Sequence, residues 1–242
     1  MRIALISDMH GHGVGLQTVL KDIRQRAVDR VICLGDVATI GPQPKEVIDT
    51  LKQLGCICIL GNHDEALLNP GRAAALNVAP PLLPTLDWTI GQLTPDDFAF
   101  LETFRPSYEV KLSATDTLLC YHGSPRSNLD NLLPTTPVGS LDQLLGEQTA
   151  VIMAGGHTHT QMLRPFHGRL IINPGSIGHP FKDPPSADRE PVMLPWAEYA
   201  LIDYDQGAIN VMFKRLPFDR EALFTAVRQS DHPLKAWWLS RY

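Results

Sequence analysis

Short apolar runs alternate with amphipathic stretches through the first sixty residues. Ile3 to Ile6, Val31 to Leu34 and Ile57 to Leu60 read as β-strands. Between them, Val14 to Arg26 places Leu16, Val19, Leu20 and Ile23 at helical spacing, and Pro44 to Leu54 repeats the pattern with Val47, Ile48, Leu51 and Leu54. Strand, helix and strand in succession make βαβ units, which imply parallel pairing. After Tyr108 the pattern changes to strands with short connections: 108–112, 117–121, 151–154, 162–166, 170–172, 198–204 and 209–215. Only Leu141 to Gln148 reads as a helix among them. The chain is α/β, and its 242 residues suit one large domain spanning 1–242.

Three segments depart from this scheme. Residues 65–105 read as short helices broken by Pro80-Pro81 and Pro84, a helical cap inserted beside the strand ends. Residues 178–195 are Pro-rich, too irregular for a strand and too long for a tight turn. They are either a lid presenting Lys182 or Arg189 to a ligand or an excursion without contacts. Residues 219–242 read as a helix over Arg220 to Gln229 and a tail with Trp237 and Trp238, which should pack on the body or on another subunit. A homo-oligomer is one expectation from that tail.

The polar residues that interrupt the strand pattern are more specific. Five apolar runs end in Asp8-Met9-His10, Gly35-Asp36, Gly61-Asn62-His63-Asp64, His122-Gly123 and Gly156-His157-Thr158-His159. Ligands of α/β sheets bind beyond the carboxyl ends of strands, and glycine beside nearly every motif lets the chain turn there. A lone Asp after a strand is usually a turn residue or a helix cap, and His157 with His159 alone could be a solvated turn. Five such motifs in series describe one site. Asp, Asn and His without Cys form a hard to borderline ligand set that suits Mn, Fe or Zn. Two divalent ions against Asp8 and Asp36 leave the site cationic. An ion pair about 3.5–4 Å apart is the usual clamp for phosphate ester cleavage.

This ordered series resembles the calcineurin-like metallophosphoesterase superfamily, over Met1 to about Tyr204. The turn Asn173-Pro174-Gly175-Ser176 further resembles its compact bacterial and archaeal phosphodiesterase branch, which includes the retromer scaffold Vps29. The resemblance implies a four-layer α/β/β/α sandwich of two mixed sheets with the metals at one edge. It implies that Asp8, His10, Asp36 and His159 hold one metal and Asp36, Asn62, His122 and His157 the other. His63 is then the general acid, with Asp64 orienting its ring, and a metal-bound hydroxide is the nucleophile. The implied activity is phosphoester hydrolysis, diesters preferred, with Mn the foremost metal and Fe, Zn or Ni acceptable. A phosphomonoesterase acting on phosphoproteins or nucleotides is the alternative. A non-catalytic scaffold would need a degraded ligand set, whereas every ligand position here is filled. Two departures stand out: His12 occupies a usual Asn position, where its ring could line the site, and no basic residue follows Asp36 through Pro42. Arg126, four residues after His122, is a further candidate for touching substrate, with a structural ion pair as its alternative. His167, His179 and His232 lack a motif and read as ordinary surface or loop histidines.

Composition narrows the partners. The net charge is −5 and no Lys/Arg stripe is present, which argues against an extended nucleic-acid face. A small phosphate ester, nucleotides included, fits better. Cys33, Cys56, Cys58 and Cys120 lie in or beside apolar runs and read as core residues. No apolar run approaches a membrane span or a signal-peptide core. A soluble, reducing, cytoplasmic setting is the expectation.

Overall fold

The computed structural model describes residues 1–183 and 192–240. Among these, ten strands form two five-stranded sheets. The first sheet contains β1 (Arg2–Ile6), β2 (Arg30–Cys33), β3 (Ile57–Cys58), β9 (Trp196–Asp205) and β10 (Ala208–Pro217), in the order β10-β9-β1-β2-β3. The second contains β4 (Ser107–Lys111), β5 (Thr117–Tyr121), β6 (Ile152–Ala154), β7 (Met162–Phe166) and β8 (Arg169–Asn173), in the order β4-β5-β6-β8-β7. Both are mixed. The βαβ units place β1, β2 and β3 parallel, with Ile3 opposite Arg30 and Ile32 opposite Ile57. In the second sheet β5, β6 and β8 are parallel and β4 and β7 run against them.

The layers follow from strand periodicity, since successive side chains point to opposite faces. Ile3, Leu5, Ile32 and Leu34 from one sheet and Leu118, Cys120, Ile152 and Ile172 from the other make a buried cluster between the sheets. The alternate residues Ala4, Ile6 and Cys33 face outward into a cluster with α1 (Gly13–Ile23) and α2 (Pro44–Leu54). On the far side, Leu119, Tyr121, Met153 and Ile171 meet Leu141 and Leu145 of α6 (Val138–Leu145). The result is the α/β/β/α sandwich. Strands buried on both faces have no polar side to show, which is why they read as unbroken apolar runs.

Several boundaries shift for local reasons. α1 ends at Ile23 rather than Arg26, and Ala27 lies in the left-handed region (φ 48°). α6 ends at Leu145 because Gly146 (φ 63°) cannot continue a helix. Beyond β3, Ile59 and Leu60 stay extended by bonding Cys33 O and Arg105 O.

The segment 65–105 contains the end of α3 (Asn62–Leu68), α4 (Leu83–Gln92) and α5 (Pro95–Leu101), with 3-10 turns at Pro70–Arg72 and Pro80–Leu82. α5 starts in a capping box between Thr94 and Asp97, and Asp97 also takes a hydrogen bond from Lys52 Nζ of α2 at 2.6 Å. α7 (Arg220–Gln229) and α8 (Lys235–Ser240) close the chain. Trp238 packs on its own chain: it is fully buried, and its indole N–H donates to Ile40 O at 3.1 Å. Trp238→Ala should destabilise the protein by about 3–5 kcal/mol, which at this size is roughly a 10 °C fall in Tm. An unchanged calorimetric Tm would show that α8 does not hold this face together.

Candidate metal centre

The parallel strands β1, β2 and β3 point their carboxyl ends to one edge, and β5 and β6 bring theirs to the same place. Asp8, Asp36, Asn62, His122 and His157 follow those ends directly. Hydrogen bonds between and within the sheets hold the arrangement: Asp8 Oδ2 of the first sheet's loop accepts from His157 N of the second's at 3.1 Å, and within the second sheet Asn173 Nδ2 donates to Gly156 O at 2.6 Å. The backbone is strained here. Asp8, His10, Asp36, His157 and His159 all have φ between 46° and 67°. For residues other than Gly, this region costs on the order of 1 kcal/mol or more each, and such strain collects at functional sites. It aims five chemically competent side chains at one point.

Two triads result, Asp8 with His10 and His159, and Asp36 with His122 and His157, each with ligand atoms within 4.8 Å of one another. His10 Nε2 lies 3.1 Å from His159 Nε2, 3.9 Å from Asp8 Oδ1 and 3.7 Å from Asp36 Oδ2. His122 Nε2 lies 3.4 Å from the same Asp36 oxygen, so Asp36 stands between the triads. The donor set fits divalent cations. His122 Nδ1 donates to Leu34 O at 2.6 Å and His159 Nδ1 to His179 O at 2.7 Å, which leaves both Nε2 lone pairs facing inward. Asn62 Nδ2 donates to Leu76 O at 2.8 Å, turning its Oδ1 the other way. Asp8 Oδ1, Asn62 Oδ1 and His122 Nε2 are buried without a hydrogen-bond partner. Orphaned buried acceptors are costly unless a cation completes them.

Electrostatics agree. Burial alone would raise the Asp36 carboxyl, but facing His122, His63 and His10 hold it well below its ordinary value. Burial likewise opposes charge on His122, yet Asp36 raises it to about 10, while burial and His122 push His157 down to about 4. The Asp36 carboxylate is ionised, and a cation bound beside it would displace the His122 Nε2 proton and take the lone pair.

His63 lies beside the triads, its ring edge-on to His10 at 5.1 Å. Asp64 does not orient it. The Asp64 carboxylate accepts from the backbone N–H groups of Asp36 (2.7 Å), Val37 (2.9 Å) and Gly61 (3.0 Å), anchoring the Asp36 turn instead. The group at His63 Nδ1 is Thr39 Oγ1, 3.0 Å away, which also lies 3.3 Å from His10 Nδ1. Without a carboxylate partner, burial pulls the His63 pKa down, opposed by Asp36. Thr39 carried no motif signal in the sequence. Its value comes from the bend that returns 37–42 under the site.

Gly61 is required by proximity. A Cβ there would overlap Asp36 Oδ1 and come within 2.6 Å of Asp36 N. Gly61→Ala should therefore displace the Asp36 carboxylate and weaken cation binding by at least about tenfold, measured by titration with Mn²⁺. Unchanged affinity would show that Asp36 tolerates displacement.

The remaining candidates divide. His12 is fully buried, and its Nδ1 accepts from Gly15 N at 2.9 Å as the N-cap of α1, so it is a helix cap and not a substrate-lining wall. Arg126 donates to Gln143 O at 2.7 Å and lines a polar cleft of about 340 Å³ with Glu65, Arg72 and Asn128. Lys182 is exposed, and its backbone N–H bonds Val192 O at 2.8 Å. Arg189 lies outside the described residues. His167 is exposed beside Asp142, as expected, but His179 and His232 are buried. The His179 ring sits 5.4 Å from His10 and 5.1 Å from Trp238. Nothing local marks it, because its burial depends on α8 arriving from the end of the chain.

Comparison with known proteins agrees with this geometry. The model of the calcineurin-like phosphoesterase superfamily domain matches residues 1–189. An uncharacterized protein of Methanocaldococcus jannaschii, MJ0912, is 25% identical over 195 residues, covering 74% of this chain and 76% of that one. The crystal structure of a metallophosphoesterase from Sphaerobacter thermophilus is 25% identical with a TM-score of 0.74, over 100% of this chain and 98% of that one. A hypothetical protein of Pyrococcus horikoshii, PH1004, shares the fold with a TM-score of 0.80 at 19% identity, over 96% and 94%. With the family model covering most of its length and its motif residues gathered at one sheet edge, this chain belongs to the calcineurin-like phosphoesterase superfamily.

Proposed function

We propose that the protein hydrolyses phosphate esters, diesters in preference to monoesters, at a pair of divalent cations of which Mn²⁺ is the foremost candidate. The observation that carries this reading is the shared position of Asp36 between two triads whose buried acceptor atoms lack partners. Asp8, His10, Asp36 and His159 would hold one cation and Asp36, Asn62, His122 and His157 the other. Bound there, the cations supply Lewis acidity and an acidified water.

The chain's own residues supply the rest. His10 must offer Nε2 as a lone pair, so its Nδ1 carries hydrogen and donates to Thr39 Oγ1. When His63 is protonated, the same oxygen accepts from its Nδ1–H. His63 thereby keeps its Nδ1 proton, and the proton it exchanges is the one on Nε2, available to a departing alkoxide. An anionic substrate beside the ring favours its protonated form, offsetting burial.

The test is hydrolysis of bis-p-nitrophenyl phosphate and p-nitrophenyl phosphate by chelator-stripped protein with single metals restored. Metal-dependent turnover favouring the diester is expected. A monoester preference would make it a phosphomonoesterase, and no turnover of either ester with any first-row metal would overturn the hydrolase reading.

A further inference from the structure

A second cleft adjoins the triads on the His159 side. It encloses about 330 Å³, at the lower end of the range for small-molecule sites. Ile40, Leu82, Phe181 and Trp237 line it together with His159 and His179, and among the described residues it has no Lys, Arg, Asp or Glu. These walls come from the Thr39 bend, the turn before α4, the strand-end loop and α8, so the chain converges on the cleft from four places. Phe181 stacks on the His159 ring at 4.5 Å and 21°. The wall is therefore continuous with a ligand of the first triad. His179 is its polar member, 4% exposed, with neither ring nitrogen hydrogen-bonded.

The cleft on the opposite side has a different character. It carries Glu65, Arg72, Ser124, Arg126 and Asn128, and it adjoins Asn62 through Leu76, whose carbonyl takes the Asn62 amide. Charged or sugar-like groups match that polar wall. A flat apolar group matches the other one, where aromatic faces and aliphatic side chains would bury it without desolvating any charge.

We infer that the Phe181–Trp237 cleft is a substrate subsite that takes an apolar, ring-sized arm of the ester, with His179 available to an oxygen of that arm. The inference rests on the hydrolase reading, because it is the phosphoryl group seated at the triads that directs the arm across His159. A substrate with an aryl or comparably flat apolar alcohol is the class selected.

The experiment uses Mn²⁺-loaded protein and measures the Kd of methylphosphonate and of 1-naphthylphosphonate by calorimetry, beside turnover of bis-p-nitrophenyl phosphate. Each phosphonate has a single carbon arm, so the ratio of the two affinities reads the subsite alone. Burying the rings should make the naphthyl compound at least about tenfold tighter. Trp237→Ala and Leu82→Asp should each shrink that ratio severalfold, and Trp237→Phe should retain it. Equal affinities, a ratio that survives both disruptive variants, or ester turnover without phosphonate binding would overturn the subsite while leaving the hydrolase reading intact. Failure of all ester turnover with every metal would instead remove the reading beneath it.

Discussion

Asp36→Asn is expected to abolish tight binding of the cation pair and to lower kcat/KM for a phosphodiester by roughly 10³-fold or more, about 4 kcal/mol of transition-state stabilisation. The substitution is nearly isosteric, and asparagine tolerates the left-handed backbone that Asp36 adopts at φ 56°. The turn should survive. What changes is the charge between the triads: Asp36 Oδ2 lies 3.7 Å from His10 Nε2 and 3.4 Å from His122 Nε2, and an amide cannot satisfy two cations there. The carbonyl oxygen of the amide can still accept from His63 N, as Asp36 Oδ1 does at 2.9 Å. Circular dichroism should match the parent protein, while metal analysis after dialysis should show the loss. A variant that retains two metal equivalents and diester turnover would show that Asp36 is not shared.

His63→Ala separates proton transfer from metal binding. It removes no atom of either triad, so both metal equivalents should remain, yet kcat should fall by about 10²–10⁴-fold for esters whose alkoxide needs a proton. Esters of p-nitrophenol should suffer less, because that phenolate leaves without help. Thr39→Val tests the acceptor at His63 Nδ1. A roughly tenfold loss is expected, larger for alkyl than for nitrophenyl leaving groups. A purely structural role for Thr39 would lower both classes equally. If His63→Ala loses metal, or slows both ester classes alike, His63 is not the general acid.

The strength of the site reading in the sequence came from order. Asp8, Asp36, Asn62, His122 and His157 each stand one or a few residues beyond an apolar run, and runs can be recognised one at a time because a strand buried on both faces must be apolar throughout. Helices α1, α2 and α7 were equally visible, since their buried faces repeat at helical spacing. Boundaries were less so. α6 stops at Leu145, three residues before its apolar repeat suggests, and the third strand pairs over only two residues. Those ends depend on a glycine with positive φ and on backbone partners such as Arg105, distant in the chain.

Second partners were the part that local reading missed. Asp64 sits beside His63 in sequence, and adjacency suggested that it steers the ring. In the fold α3 starts at Asn62, and its first turn directs Asp64 to the N–H groups of Asp36 and Val37, while the ring meets Thr39. The burial of His12 and His179 has a related cause. Both are covered by α8, whose Trp238 lies within ring contact of each.

The sequence by itself therefore determined the α/β class, the strand runs and the inventory of ligands at their ends, because strand periodicity and the chemistry of Asp, Asn and His are local properties, while the two-sheet sandwich was legible only through the family resemblance. Only the tertiary structure decided that Thr39 rather than Asp64 meets His63 and that α8 closes an apolar cleft against His159. Those contacts join residues up to about two hundred positions apart, as the Trp238 bond to Ile40 does. Contacts of that span leave no periodic trace in the chain, since they are set by how the packed layers bring distant loops to one edge.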